Sequence, residues 1–170
     1  MNAQGESDQG SAGGAIDEAF ILAPDWRLPI ETVHAIGRAN GLERPDTSMR
    51  GYHDGGWFDK DNGEYVATDK LKQLVARRYL EGRAAERGDD GGSAGGAIDQ
   101  AFILAPDWRL PVEAVHSIGR ANGLQRPDVS MRGYHDGGWF DEVDGYYVAT
   151  DKFMKLVAKR YLEARKAERG

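Results

Sequence analysis

A chain of 170 residues with a net charge of −6 and no cysteine excludes a disulfide framework and a thiolate metal centre, and it leaves the redox compartment open. No apolar run approaches the roughly 20 residues of a membrane helix, and residues 1–14 lack the basic start and apolar stretch of a signal peptide. A soluble cytoplasmic protein with no membrane partner is the expectation.

The chain repeats itself. Residues 10–88 align without a gap on residues 92–170, and 16 of the 79 positions differ. The period exceeds the roughly 20–50 residues of a solenoid unit, so each copy reads as a small domain. Residues 1–14 read as a disordered Gly-rich leader, 15–87 as the first repeat, 88–96 as a Gly-rich linker and 97–170 as the second repeat. A chain of about 60 residues buries only roughly 60% of its unfolded surface, so each copy has one modest core and little to spare. Its apolar stripes and caps are complete, so each copy is expected to fold alone. The first copy carries net charge −2 and the second 0. That balance counts against non-specific coating of nucleic acid, but not against a local basic face.

In chain order, the helix-forming stretch 15–23 has Ile16, Ala19 and Phe20 at helical spacing, and Pro24 stops it. Asp25-Trp26-Arg27-Leu28 reads as a short extended piece. Pro29 suits the first position of a second helix, with Glu31 favouring its positive end. Asn40-Gly41-Leu42 looks like a Schellman stop with Gly41 at positive φ. Asp46 is placed to cap a short helix through Thr47, Ser48, Met49 and Arg50, which the glycines at 51, 55 and 56 soon end. Aromatic and β-branched residues flank Asn62-Gly63, and Asp144-Gly145 in the second copy; this pattern predicts a β-hairpin. Thr68 caps a last helix with a stripe of Leu71, Leu74, Val75 and Tyr79. Its Lys70, Lys72, Arg77, Arg78 and Arg83 predict a basic outer face.

This order of helix, strand, helix, turn, helix, hairpin and helix resembles the winged-helix branch of the helix-turn-helix DNA-binding proteins. The stretch Ile36-Gly37-Arg38-Ala39-Asn40-Gly41-Leu42 is similar to the family's turn. A small residue stands four before the turn glycine and an apolar residue comes directly after it. Gly37, Gly41 and Leu42 fill those places, as do Gly119, Gly123 and Leu124. Two positions depart from the pattern. The small residue is usually alanine, and glycine lowers helix stability by about 1 kcal/mol. The position six after the turn glycine is usually apolar, yet it is Thr47 in one copy and Val129 in the other.

The resemblance implies an α+β fold: a tandem duplication of a winged-helix-like domain with three to four helices and a β-hairpin per copy. It also implies a recognition segment of Arg44, Thr47, Ser48, Arg50, Tyr52 and His53, and of Arg126, Ser130, Arg132, Tyr134 and His135. Arginine forks suit guanine edges and phosphates, and hydroxyls suit phosphate oxygens. The hairpin tip, Lys60 to Asn62, would be the wing; Glu142-Val143-Asp144 would repel phosphate there.

The remaining signals are weaker. His53 and Asp54 sit in a glycine-flanked loop, but each copy has only two histidines, too few for zinc ligation. The bland reading is a loop that tucks Trp57 into the core. No nucleophile elbow, phosphate loop or calcium loop is present. The expected function is therefore that of a non-enzymatic bivalent DNA-binding protein, a regulator of transcription. It would have no cofactor and no metal, and would act as a monomer with pseudo-dimeric repeats. The alternative is a bivalent protein-binding adaptor or inhibitor that uses the Tyr-His-Asp-Gly-Gly-Trp loops.

Overall fold

Pro24 and Pro106 each stop a first helix, and the elements beyond them come in the same order in both copies. In the first copy the order is α1 (Asn2–Leu22), β1 (Arg27–Pro29), α2 (Ile30–Ala39), α3 (Pro45–Asp54), β2 (Phe58–Asp61), β3 (Glu64–Ala67) and α4 (Asp69–Arg87). In the second it is α5 (Ser93–Leu104), β4 (Arg109–Pro111), α6 (Val112–Ala121), α7 (Pro127–Asp136), β5 (Phe140–Val143), β6 (Tyr146–Ala149) and α8 (Asp151–Arg169). This computed structural model describes residues 2–87 and 93–169. Among them the chain is α+β in two similar halves, each with four helices and one antiparallel three-stranded sheet.

The first helix of each copy begins earlier than its sequence suggests. Residues 2–14, read as a leader, belong to α1, and Ser93 to Gly96, read as linker, open α5. The rest of that linker, 88–92, lies outside the described residues. Ala12, Ile16 and Phe20 recur every fourth residue and are buried, so the apolar stripe of α1 reaches back at least to residue 12.

The α2 stop forms as expected. Gly41 has φ +103°; its N–H donates to Arg38 O (3.1 Å) and the Leu42 N–H donates to Gly37 O (2.9 Å), the paired bonds of a Schellman closure. The hairpin also forms. Asn62 and Gly63 have φ +54° and +79°, and Asp144 and Gly145 have +53° and +82°, both central residues being positive as a type I′ turn requires. Each sheet places its last strand in the middle, in the orders β1-β3-β2 and β4-β6-β5. Tyr65 and Ala67 alternate inward along β3. The Ile30 N–H donates to Gly63 O at 3.0 Å, tying the hairpin turn to the start of α2.

Three details of capping differ from expectation. Pro29 stands one residue before α2 as its N-cap. Arg44, not Asp46, occupies the N-cap of α3, because Pro45 at the first helical position presets the backbone. Gly51 does not end α3, which runs on to Asp54 and stops at Gly55.

Phe58 is the hub of the first core, 4.5 Å from the Phe20 ring centroid, 6.3 Å from Tyr52 and 6.4 Å from Tyr65. Phe140 does the same in the second, at 4.4 Å from Phe102, 6.3 Å from Tyr134 and 5.0 Å from Phe153. Burying one such side chain contributes about 1.5–3 kcal/mol.

The chain divides into two compact units, Met1–Lys72 and Gln73–Gly170, and the division falls inside α4. The second unit thus holds the whole second copy together with the later part of α4. There Tyr79 lies edge-on to Phe153 at 6.0 Å and donates a 2.6 Å hydrogen bond to Asp99 Oδ2. Arg83 Nε approaches the same carboxylate oxygen to 3.5 Å.

Gly41→Ala and Gly123→Ala should each lose about 1–2 kcal/mol in denaturant melts, since each puts a Cβ at positive φ. Tyr79→Ala should cost about 3–5 kcal/mol, and hydrogen exchange should quicken within residues 97–165 even though the substitution lies in the first copy.

Candidate functional site

The α3 helix carries an exposed face of mixed chemistry, and its placement begins with Gly37. A Cβ built on Gly37 would stand 3.0 Å from Leu42 Cδ1 and 3.2 Å from Pro45 Cβ. Gly119 meets Leu124 and Pro127 at the same distances. Glycine there, despite its cost to the helix, lets α2 and α6 approach the turn and the start of the next helix closely.

From that turn α3 presents two faces. Pro45 and Met49 are buried and Tyr52 is half-buried, an inward stripe at spacings of four and three residues. Thr47, Arg50 and His53, three apart, are exposed, as is Arg44 at the N-cap; Ser48 lies half-buried between the faces. In α7 the counterparts Arg126, Arg132 and His135 are exposed, and Ser130 and Tyr134 are half-buried. The position six after the turn glycine therefore faces outward, which is why it tolerates both Thr47 and an exposed Val129.

Electrostatically the face is close to balanced. Asp46 and Asp54 stand on α3 beside Arg50, and His53 Nδ1 lies 3.6 Å from Asp54 Oδ1. The second copy repeats this with Asp128 and Asp136, His135 Nδ1 being 3.5 Å from Asp136 Oδ1. Tyr52 and Tyr134 lean on Phe58 and Phe140, so their rings serve the core before any ligand.

The glycine loop after α3 is pinned, and its tryptophan is not in the core. Lys70 Nζ donates to Gly55 O at 2.7 Å and lies 4.2 Å over the Trp57 ring, while Thr68 Oγ1 donates to Gly56 O at 2.6 Å. Lys152, Trp139 and Thr150 repeat the arrangement. Trp57 is half-buried beneath the lysine, and Trp26 is the tryptophan the core holds. Among the described residues no three His, Asp or Glu side chains are grouped to hold a metal ion. No family model, curated protein or solved structure matches the chain.

Two other surfaces differ from expectation. The basic outer face of α4 is largely occupied. Lys72 and Arg83 are only 7% and 8% exposed, Lys70 covers Trp57, Arg78 lies 5.4 Å over the Tyr161 ring, and exposed Arg77 faces Glu81 at 3.7 Å. The hairpins have diverged. In the first copy Arg27 Nη1 reaches Glu64 Oε1 at 3.1 Å and Asp61 Oδ2 at 3.5 Å, and the hydrogen bond to Glu64 raises its pKa above the ordinary value. In the second copy Val143 and Tyr146 replace those acids, pair across the strands, and are 43% and 39% exposed.

Because Arg50 and Arg132 are exposed, Arg50→Ala with Arg132→Ala should leave the melt within about 0.5 kcal/mol of the parent per site. Tyr52→Ala, which strips a ring from Phe58, should destabilise by more than about 1 kcal/mol in the same assay, on the order of a core truncation.

Proposed function

We propose that the protein is a non-enzymatic bivalent DNA-binding protein, with α3 and α7 as recognition helices of two winged-helix-like domains. The observation that carries this reading is the α2–turn–α3 unit. The Gly41 closure and the tight Gly37–Pro45 approach turn one helix into the next and leave Arg44, Thr47, Arg50 and His53 exposed on one element. The order of elements and the hairpin tied to α2 through Ile30 support it further. Arg50 and Arg132 act on base edges or phosphates, and Lys60 at the first hairpin adds a phosphate contact. The balanced charge of the face implies binding that relies on base contacts more than on counterion release, with a shallow salt dependence.

A second reading, a protein-binding adaptor, is favoured by one observation: Val129, Val143 and Tyr146 are large apolar side chains 39–43% exposed, all in the second copy, where the first has Thr47, Asp61 and Glu64. The Tyr-His-Asp-Gly-Gly-Trp loop contributes less to such a surface, since Tyr52 and Trp57 are half-buried.

Filter binding against genomic fragments at two salt concentrations tests the proposal. Arg50→Ala and Arg132→Ala should each weaken binding by about 1–3 kcal/mol, and the double variant should lose more than either. Unchanged affinity in the double variant would remove α3 and α7 as the interface. No DNA binding by the parent protein at the lower salt would end the DNA reading and leave the adaptor.

A further inference from the structure

A polar cluster in the second unit joins an element of the first copy to two elements of the second, α5 and α8. Tyr79 of α4 donates to Asp99 of α5, and Arg83 approaches the same carboxylate. Burial, and then the Asp99 charge beside it, raise the Tyr79 pKa far above its ordinary value, so the hydroxyl stays a donor. The glycines of α5 make room for this helix. A Cβ on Gly95 would stand 2.5 Å from Arg83 Nη2 and 3.3 Å from Tyr134 Oη, and one on Gly96 would stand 3.3 Å from Leu80 Cδ2.

Against α8 the contacts are reciprocal. Arg78 of α4 lies 5.4 Å over the Tyr161 ring of α8, and Arg160 of α8 lies 5.2 Å over the Tyr79 ring of α4. Gly82 faces the Arg160 side chain, whose Cβ would be 3.3 Å from an added Cβ. Arg78 and Tyr79 are the repeat counterparts of Arg160 and Tyr161, 82 residues apart. Each helix therefore offers its partner the same arginine and the same tyrosine, the signature of an isologous contact. The sequence also keeps much of the rest of the set twice: Gly13, Gly14 and Asp17 correspond to Gly95, Gly96 and Asp99, and Arg83 corresponds to Arg165, while Gly82 corresponds to the small residue Ala164.

We infer that the α4–α8 surface is a homodimer interface made internal by duplication, and that its ligand is a second copy of the repeat. The linker holds the copies at high effective concentration but is not what joins them. The pairing holds whatever the α3 face binds.

The test uses the full chain with a protease site placed in residues 88–92 and cut after folding. After cleavage the halves should migrate as one species with the mass of the uncut 18.7 kDa chain. After exchange, native mass spectrometry should also find paired first halves and paired second halves. Gly82→Leu, which drives a side chain into Arg160, should weaken pairing of the cut halves about tenfold or more while the uncut variant keeps its helical signal. Halves that separate on cutting, halves that pair only one-to-one, or a Gly82→Leu protein whose halves pair as tightly as the parent's would each overturn the inference.

Discussion

The hydrogen bond from Tyr79 to Asp99 is the constraint around which the second unit is organised. A repeat of this size has too little apolar surface to close a generous core unaided. The later part of α4 supplies what is missing, an aromatic ring against Phe153 and two polar groups that meet one half-buried carboxylate. Phe153 in turn touches Phe140 at 5.0 Å and Trp108 at 6.0 Å, so the contact made by α4 runs directly into the ring cluster of the second copy. Removing the tyrosine would leave the half-buried Asp99 with one donor fewer.

The same helix explains the fate of its positive charges. A surface helix with six basic residues would ordinarily present a cationic strip to solvent. Here Lys70, Arg78 and Arg83 are engaged locally, on aromatic faces, on a carboxylate and on a backbone carbonyl. What remains outward is the nearly neutral face of α3 and α7, along with two hairpins that no longer match. The copies are thus alike inside and different at the hairpin surface, where Asp61 and Glu64 became Val143 and Tyr146.

Much of this was legible in the sequence wherever a single residue dictates the backbone. Asn-Gly and Asp-Gly marked the hairpin turns, Gly41 the helix stop, and Pro24 the end of α1. Errors arose where a residue type carries two meanings. The glycine-rich stretch 93–96 and its counterpart look like linker because glycine disfavours helix, but Gly95 and Gly96 sit in α5 against Arg83 and Leu80, where an added Cβ would crowd those side chains. Lysine and arginine on α4 look solvated because long-range aromatic partners leave no trace in local periodicity. The sequence points to Trp57 as the core tryptophan and to Trp26 only as part of an extended piece; the packing reverses this, with Trp57 covered by a lysine and Trp26 fully enclosed. Of the α3 face, the exposed positions were readable from sequence, whereas the inward role of Tyr52 depended on Phe58 being the hub.

The bond from Ile30 N–H to Gly63 O has its own consequence. Turns at the tip of a surface hairpin are ordinarily where a protein accepts inserted residues. This turn is instead the acceptor for the first amide of α2, and the second copy repeats it: Val112 N–H donates to Gly145 O at 2.9 Å. Lengthening it by one residue would move that carbonyl out of register and leave the helix start without its partner. The turn thus accepts Asn or Asp before its glycine but no change in length, and the 16 differences between the copies obey that limit: Asn62 has become Asp144, and no residue has been gained or lost.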